Sequence, residues 1–271
     1  MYSGLKKFCA ALLLAGSTLC AAADAPTPPP ESKLTPAQAE AEKIKLAGDG
    51  FMEANKPGDA LPLYKQAVAK DPNNEDALYN GGLAAYLTAD FKTAAEMWKA
   101  LKARDLDDWH LRAKLVQTYQ ALNDLKARDA ERADLFALRG TTKDDSFKKV
   151  TQYCREQFSV GATKLMAFEF FELTGEHAMR YRFAILDESG KKEAWYISLG
   201  SYDVTNQVAH ETGDLKPGER LFHLDSYAKG GDEHKTYDMF KKEPTYEETR
   251  AMVVKILEGK LPAKSGTTKQ P

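Results

Sequence analysis

One fixed offset constrains this chain more than any other feature. Gly48 and Gly82 lie 34 apart, as do Met52 and Tyr86, Ala60 and Ala94, Tyr64 and Trp98, and Asp71 and Asp105. A fainter third copy continues the step through Phe51, Ala85 and Tyr119, and through Pro57, Phe91 and Leu125. From Thr35 to Arg139 the chain is rich in Ala, Leu, Lys and Asp, and its apolar residues recur at helical spacing. Thr35 suits an N-cap and Pro36 the first helical position. A fixed period of this length means that one supersecondary unit is copied and stacked, because a single unit cannot bury its own apolar face.

The pattern resembles the tetratricopeptide repeat, a helix–turn–helix unit of the same period. The family's small residue in the first helix falls at Gly48 and Gly82, its central Ala at Ala60 and Ala94, its aromatic at Tyr64 and Trp98, and its helix-closing Pro at Pro72. Small residues let the two helices of a unit approach, and aromatics fill the gap to the next unit. Residues 37–139 are therefore expected to form a TPR-like, all-α array of helix hairpins. The third unit departs from the pattern. Arg128 replaces the central Ala, Arg132 replaces the aromatic, and Trp109 opens the unit. It reads as a terminal repeat whose polar face caps the stack.

The resemblance implies a concave face built from the first helix of each unit, with a protein or peptide partner in it. On this register the face carries Lys45, Asp49, Met52, Tyr79, Asn80, Leu83, Tyr86, His110, Lys114 and Gln117. One sub-family clamps a peptide's terminal carboxylate with Lys and Asn in the first unit, Asn in the second and two bases in the third. Lys45, Asn80, His110 and Lys114 stand at matching places. Asp49 stands where that sub-family has Asn, and a carboxylate there repels an anionic ligand at close range.

After the polar break at residues 140–145 the period changes. Met166, Phe168 and Phe170 alternate within Lys164–Leu173, and Met179, Tyr181, Phe183 and Ile185 alternate with Arg180 and Arg182. Trp195, Ile197 and Leu199 alternate with Ala194, Tyr196 and Ser198. Alternation over such lengths is the mark of half-buried strands. Turn residues at 174–176 and 187–190 imply hairpins. Further strands are expected at Val204–Glu211, Arg220–Tyr227 and Lys235–Phe240, with turns at 216–218 and 229–232, and the earlier Val150–Phe158 reads as strand or helix, with strand preferred. Thr245 and Glu248 have capping-box spacing, and Met252, Val253, Ile256 and Leu257 share one helical face. The predicted class is α+β: a helical array, then an antiparallel β-meander over residues 146–260 closed by a C-terminal helix, with a polar, flexible tail at 261–271.

The N-terminus has the parts of an export signal. Lys6 and Lys7 precede an apolar run from Phe8 to Leu19, and Ala21-Ala22-Ala23 offers a small-residue cleavage site before Asp24. The run is short for a membrane span, so residues 1–23 are expected to leave and the mature chain to reach the bacterial periplasm without a stable transmembrane segment. Residues 24–36, with four prolines in the first ten, read as a Pro-rich linker. Cleavage removes Cys9 and Cys20, leaving Cys154 alone, so no intrachain disulfide is available. The remaining 36 bases against 40 acids argue against a nucleic-acid partner.

Reactive motifs are few. The chain has no G-x-S-x-G elbow, no phosphate loop and no dinucleotide fingerprint after a strand. His210-Glu211 opens like a zincin helix, but Asp214 stands where the second His belongs. His223 and Asp225 share one strand face, and His234 follows in the next turn. A hydrolytic or metal-dependent module would draw on these three or on Cys154, with the helical array as its docking arm. Hairpin turns, however, collect Asp, Gly and His for conformational reasons alone. Tyr181, Tyr196, Trp195 and Phe168 read as sheet packing. The preferred reading is a non-catalytic interaction or scaffold protein of the cell envelope, with no cofactor and no metal.

Overall fold

The three helix hairpins are built on one repeated turn. The structure, a computed structural model, describes residues 34–173, 177–206, 215–228 and 234–264. Its helices are α1 (Pro36–Glu53), α2 (Pro57–Lys70), α3 (Glu75–Leu87), α4 (Phe91–Lys102), α5 (Trp109–Ala121) and α6 (Leu125–Thr141). Asn55, Ala89 and Asn123, set one repeat step apart, each take a left-handed conformation with φ of 55°, 61° and 56°. At each turn the same two backbone bonds close the helix end. Asn55 N donates to Met52 O and Lys56 N to Phe51 O, Ala89 N to Tyr86 O and Asp90 N to Ala85 O, and Asn123 N to Gln120 O and Asp124 N to Tyr119 O. This is a Schellman closure, which satisfies carbonyls that a helix end otherwise leaves orphaned. Asp90 and Asp124 then cap α4 and α6, as Asn74 and Asp108 cap α3 and α5.

The glycine–aromatic offsets become contacts inside the first two hairpins. A Cβ on Gly48 would come within 2.9 Å of the Tyr64 ring, and one on Gly82 within 2.3 Å of Trp98 Nε1. The indole N–H donates to Tyr79 O at 3.1 Å. Ala60, Tyr64, Ala94, Trp98, Leu101, Leu111 and Leu115 belong to one buried cluster through the array.

A short helix, α7 (Asp145–Lys148), leads into a six-stranded sheet: β1 (Gln152–Val160), β2 (Thr163–Phe170), β3 (His177–Leu186), β4 (Glu193–Asp203), β5 (Arg220–Tyr227) and β6 (His234–Phe240). The strands lie in sequence order and every neighbouring pair is antiparallel. Helix α8 (Tyr246–Leu257) covers one face. Its capping box forms as expected: the Thr245 hydroxyl accepts from Glu248 N, and the Glu248 carboxylate accepts from Thr245 N. Val253 and Ile256 pack on Phe183, Ile197 and Leu199, with Met252 and Leu257 beside them. Among the described residues no helix is long and apolar enough to cross a membrane.

Three local expectations change. In β2 the face toward the core is Leu165, Ala167 and Glu169, while Met166, Phe168 and Phe170 are half-buried on the other face. A buried glutamate among aromatics inverts the apparent alternation. The strand expected at Val204–Glu211 does not start there. β4 runs to Asp203, Val204 N donates to Glu219 O at 2.7 Å, and Val204 joins Leu215 and Leu221 in a small apolar cluster. Residues 207–211 lie outside the described residues, as do 174–176, 229–232 and His210. In the third repeat, finally, Arg128 and Arg132 turn toward the sheet and its helix, while Asp129 and Asp134 stay exposed. Arg128 is 3% exposed and pairs with Glu247 of α8, and Arg132 pairs with Glu169 of β2. Beside these pairs, Val116 and Leu135 share a cluster with Phe147, Tyr153 and Phe171, and Trp109 stacks on Phe147 at 4.7 Å. The described residues from Pro36 to Lys264 thus form one compact unit, with the sheet seated on the last helix pair.

Candidate functional site

The first helix of each hairpin, α1, α3 and α5, carries the ten candidate residues. On α1, Lys45 is only 6% exposed. Its ammonium lies 2.8 Å from Glu42, 3.3 Å from Asp49 and 3.9 Å from Asp76. Burial works against the charged ammonium, but the bonds and charges of Glu42 and Asp49 outweigh it and hold Lys45 above its ordinary pKa. Asp49 Oδ1 also accepts from the Tyr64 hydroxyl at 2.7 Å and from Asn80 Nδ2 at 3.0 Å. Three carboxylates thus surround one lysine across α1 and α3. Lys45 and Asn80 are both engaged inside this network. Glu42 and Asp76 were not singled out by sequence reasoning, although the i,i+3 spacing of Glu42 and Lys45 on one helix was a signal for the first.

Met52, Tyr79, Leu83 and Tyr86, on the same two helices as this network, are half-buried against the array's core. Their apolar surface is held in place because Gly48 and Gly82 seat the second helices tightly behind them.

The α5 end is different. Lys114 Nζ lies 5.6 Å from the Tyr79 ring centre and 5.4 Å from that of Trp98. Burial there lowers its pKa. His110 is stacked on Trp109 at 3.7 Å, and burial lowers its pKa as well. Gln117 Nε2 donates to the backbone carbonyl of Cys154 in β1 at 2.6 Å. The sheet's edge strand therefore lies against α5, and the chain itself covers that part of the face. Burial raises the Tyr86 hydroxyl to about 12, helped by the nearby charges of Cys154 and Glu156. No local pattern in the sequence announces this contact, which joins positions 37 apart.

The C-terminal candidates divide. His223 and Asp225 share a face of β5, with His223 Nδ1 2.6 Å from Asp225 Oδ2, and the Tyr227 hydroxyl donates to the same oxygen at 3.2 Å. Asp225 is 3% exposed and its other oxygen is buried without a partner. The His223 ring lies over Gly200, where a Cβ would come within 2.6 Å of it. His234 does not join them but stacks on Tyr227 at 5.7 Å, which in turn stacks on Tyr196 at 4.9 Å. Among the described residues no three His, Cys, Asp or Glu side chains gather into a group that could hold a metal. Burial pushes the Cys154 thiol up to about 11, so it is protonated and weakly nucleophilic at neutral pH. A cavity of about 290 Å³, lined by Arg139, Val150, Phe170, Phe171, Glu172 and Met179 among others, contains none of these groups.

No protein-family model matches the chain, and no curated protein matches it. Three solved structures that align with part of this chain are the following. The second tetratricopeptide domain of human RPAP3, in complex with the HSP70 peptide SGPTIEEVD, is 18% identical with a TM-score of 0.35. It aligns over 42% of this chain and 99% of that one. The Sgt2 tetratricopeptide domain from Aspergillus fumigatus is 23% identical with a TM-score of 0.34, over 42% of this chain and 74% of that one. PcrH, in complex with the chaperone-binding region of PopB, is 14% identical with a TM-score of 0.36, over 42% and 91%. The chain's own turns, closing bonds and glycine–aromatic contacts, recurring at one fixed step, make residues 36–141 a tetratricopeptide-like array.

Proposed function

We propose that this chain is an exported, non-catalytic binding protein whose groove over α1 and α3 holds a peptide segment of a partner protein. One observation carries the reading. The first two hairpins present Met52, Tyr79, Leu83 and Tyr86 half-buried on a shared face, beside polar groups fixed by their own bonds. A preformed face of this kind binds an extended or helical segment with little ordering cost. The residues most suited to chemistry are engaged elsewhere: Asp225 holds His223, and the half-buried Cys154 thiol is held in its protonated form. Export is supported by Lys6 and Lys7, the apolar run that follows and the Ala21–Ala23 site.

A photo-crosslinking amino acid at Leu83, and another at the exposed Lys99 of α4, test the binding role in cells of the source organism. We expect a crosslinked partner from position 83 and none from position 99. Equal crosslinking from both, or none from either, would refute it. Intact-mass analysis of the secreted chain tests export, with a mature species starting at Asp24 expected and a full-length cytoplasmic species contradicting it.

A further inference from the structure

We propose that the groove over α1 and α3 selects a segment carrying Lys or Arg among apolar side chains, and that it discriminates against peptide carboxylates. This rests on the binding role above and adds the chemistry of the partner.

Three carboxylates, Glu42, Asp49 and Asp76, face a single ammonium, Lys45. Lys45 is nearly inaccessible and already held by all three, so it has nothing left for a ligand anion. Asn80, the other group that could donate to a carboxylate, gives its amide to Asp49. The acids are more open. The Asp76 side chain is 55% exposed and that of Glu42 38%. This cluster therefore carries two negative charges more than positive ones, and charges of one sign gathered on one face add to a local negative potential. Apolar Met52, Leu83 and Tyr86 adjoin it. At the far end Lys114 lies over Tyr79 and Trp98, and β1 covers α5 through Gln117. A second cation is unfavourable there and an apolar group fits. The face thus asks for a cation near α1 and an apolar residue toward Tyr86.

Fluorescence anisotropy on the whole mature chain tests this with labelled nonapeptides, acetylated and amidated, that alternate Leu with Lys, with Glu or with Gln. A fourth probe is the Gln peptide with a free C-terminal carboxylate. We expect the Lys peptide to bind best, the Glu peptide to bind least, and the free carboxylate to bring no gain. Asp76→Asn should weaken the Lys peptide about twofold to fivefold, in line with one partly exposed charge pair. Raising the salt from low to several hundred millimolar should weaken it further. Glu188→Lys, in the distant β3–β4 turn, removes at least as much negative charge from the whole protein and should have a much smaller effect. Tighter binding of the Glu peptide or of the free carboxylate, or equal effects of Asp76→Asn and Glu188→Lys, overturns the charge preference while leaving the binding role standing. Failure of all four peptides to bind, together with no crosslink from Leu83, overturns both.

Discussion

Replacing Glu169 by Gln should loosen the seat of the sheet on the helical array. Glu169 is 0% exposed on β2. Its carboxylate accepts from Arg132 Nε at 2.8 and 3.0 Å, and from the same guanidinium's terminal nitrogen. It also accepts from the Tyr153 hydroxyl at 2.6 Å and from Arg155 Nη1 at 2.6 Å. Gln keeps the shape but removes the charge that balances two arginines, one of them 3% exposed. Breaking a buried pair in this way costs about 3–5 kcal/mol, because it leaves an uncompensated buried charge. That is a large share of the ~5–15 kcal/mol a domain commonly holds. Urea unfolding followed by tryptophan fluorescence, with far-UV circular dichroism as a second probe, measures the loss. A decrease below about 1 kcal/mol, well short of a broken buried pair, would show that the clasp is not held by this carboxylate. The pH dependence follows the same group. Burial works against its ionisation, but the Arg132 bond and the Arg155 and Arg132 charges outweigh it and hold the carboxyl below its ordinary pKa. Its contribution is therefore complete above the unfolded value of ~4.3 and is lost as pH falls through the lower folded value. Wild type should lose stability in that acid range and Glu169→Gln should lose less of it. Parallel curves would refute the assignment.

Other positions give sharper contrasts. Gly82→Ala places a methyl against the rigid Trp98 indole and should cost about 1–3 kcal/mol, whereas Gly50→Ala, with nothing within 4 Å, should stabilise α1 by about 0.5–1 kcal/mol; thermal melts of the two should move in opposite directions. Ala89 alone among the three repeated turns takes a positive φ without being Asn, so Ala89→Gly should raise stability by about 0.5–1 kcal/mol in urea titration. Cys154, with its thiol raised to about 11, should resist iodoacetamide at neutral pH in the folded protein and react readily in urea, as read by mass spectrometry.

The helical half was legible because each repeat meets nearly the same surroundings. Gly48 and Gly82 answer one packing problem, so the same residue recurs at the same step. The capping box at Thr245 and the strands at 220–227 and 235–240 were legible because their signals are local. The join between the halves was not. Arg128 and Arg132 look like solvent-facing substitutions until Glu247 and Glu169 are brought to them from 119 and 37 residues away. Glu169, set between Phe168 and Phe170, made the wrong face of β2 look like the buried one. In the groove, the residues sharing the first-helix face were readable from the repeat register. The i,i+4 spacing of Lys45 and Asp49 on α1 was readable too, whereas the turn of Asn80 toward Asp49 was not, because it depends on the distance between α1 and α3.

The binding role is tested most directly by methyl NMR of the mature chain, titrated with the Leu–Lys nonapeptide. We expect the Met52 and Leu83 methyl signals to shift in a saturable way while Met239, on β6, stays still. Saturable shifts confined to methionines of the sheet, with Met52 and Leu83 unmoved, would contradict a groove over α1 and α3.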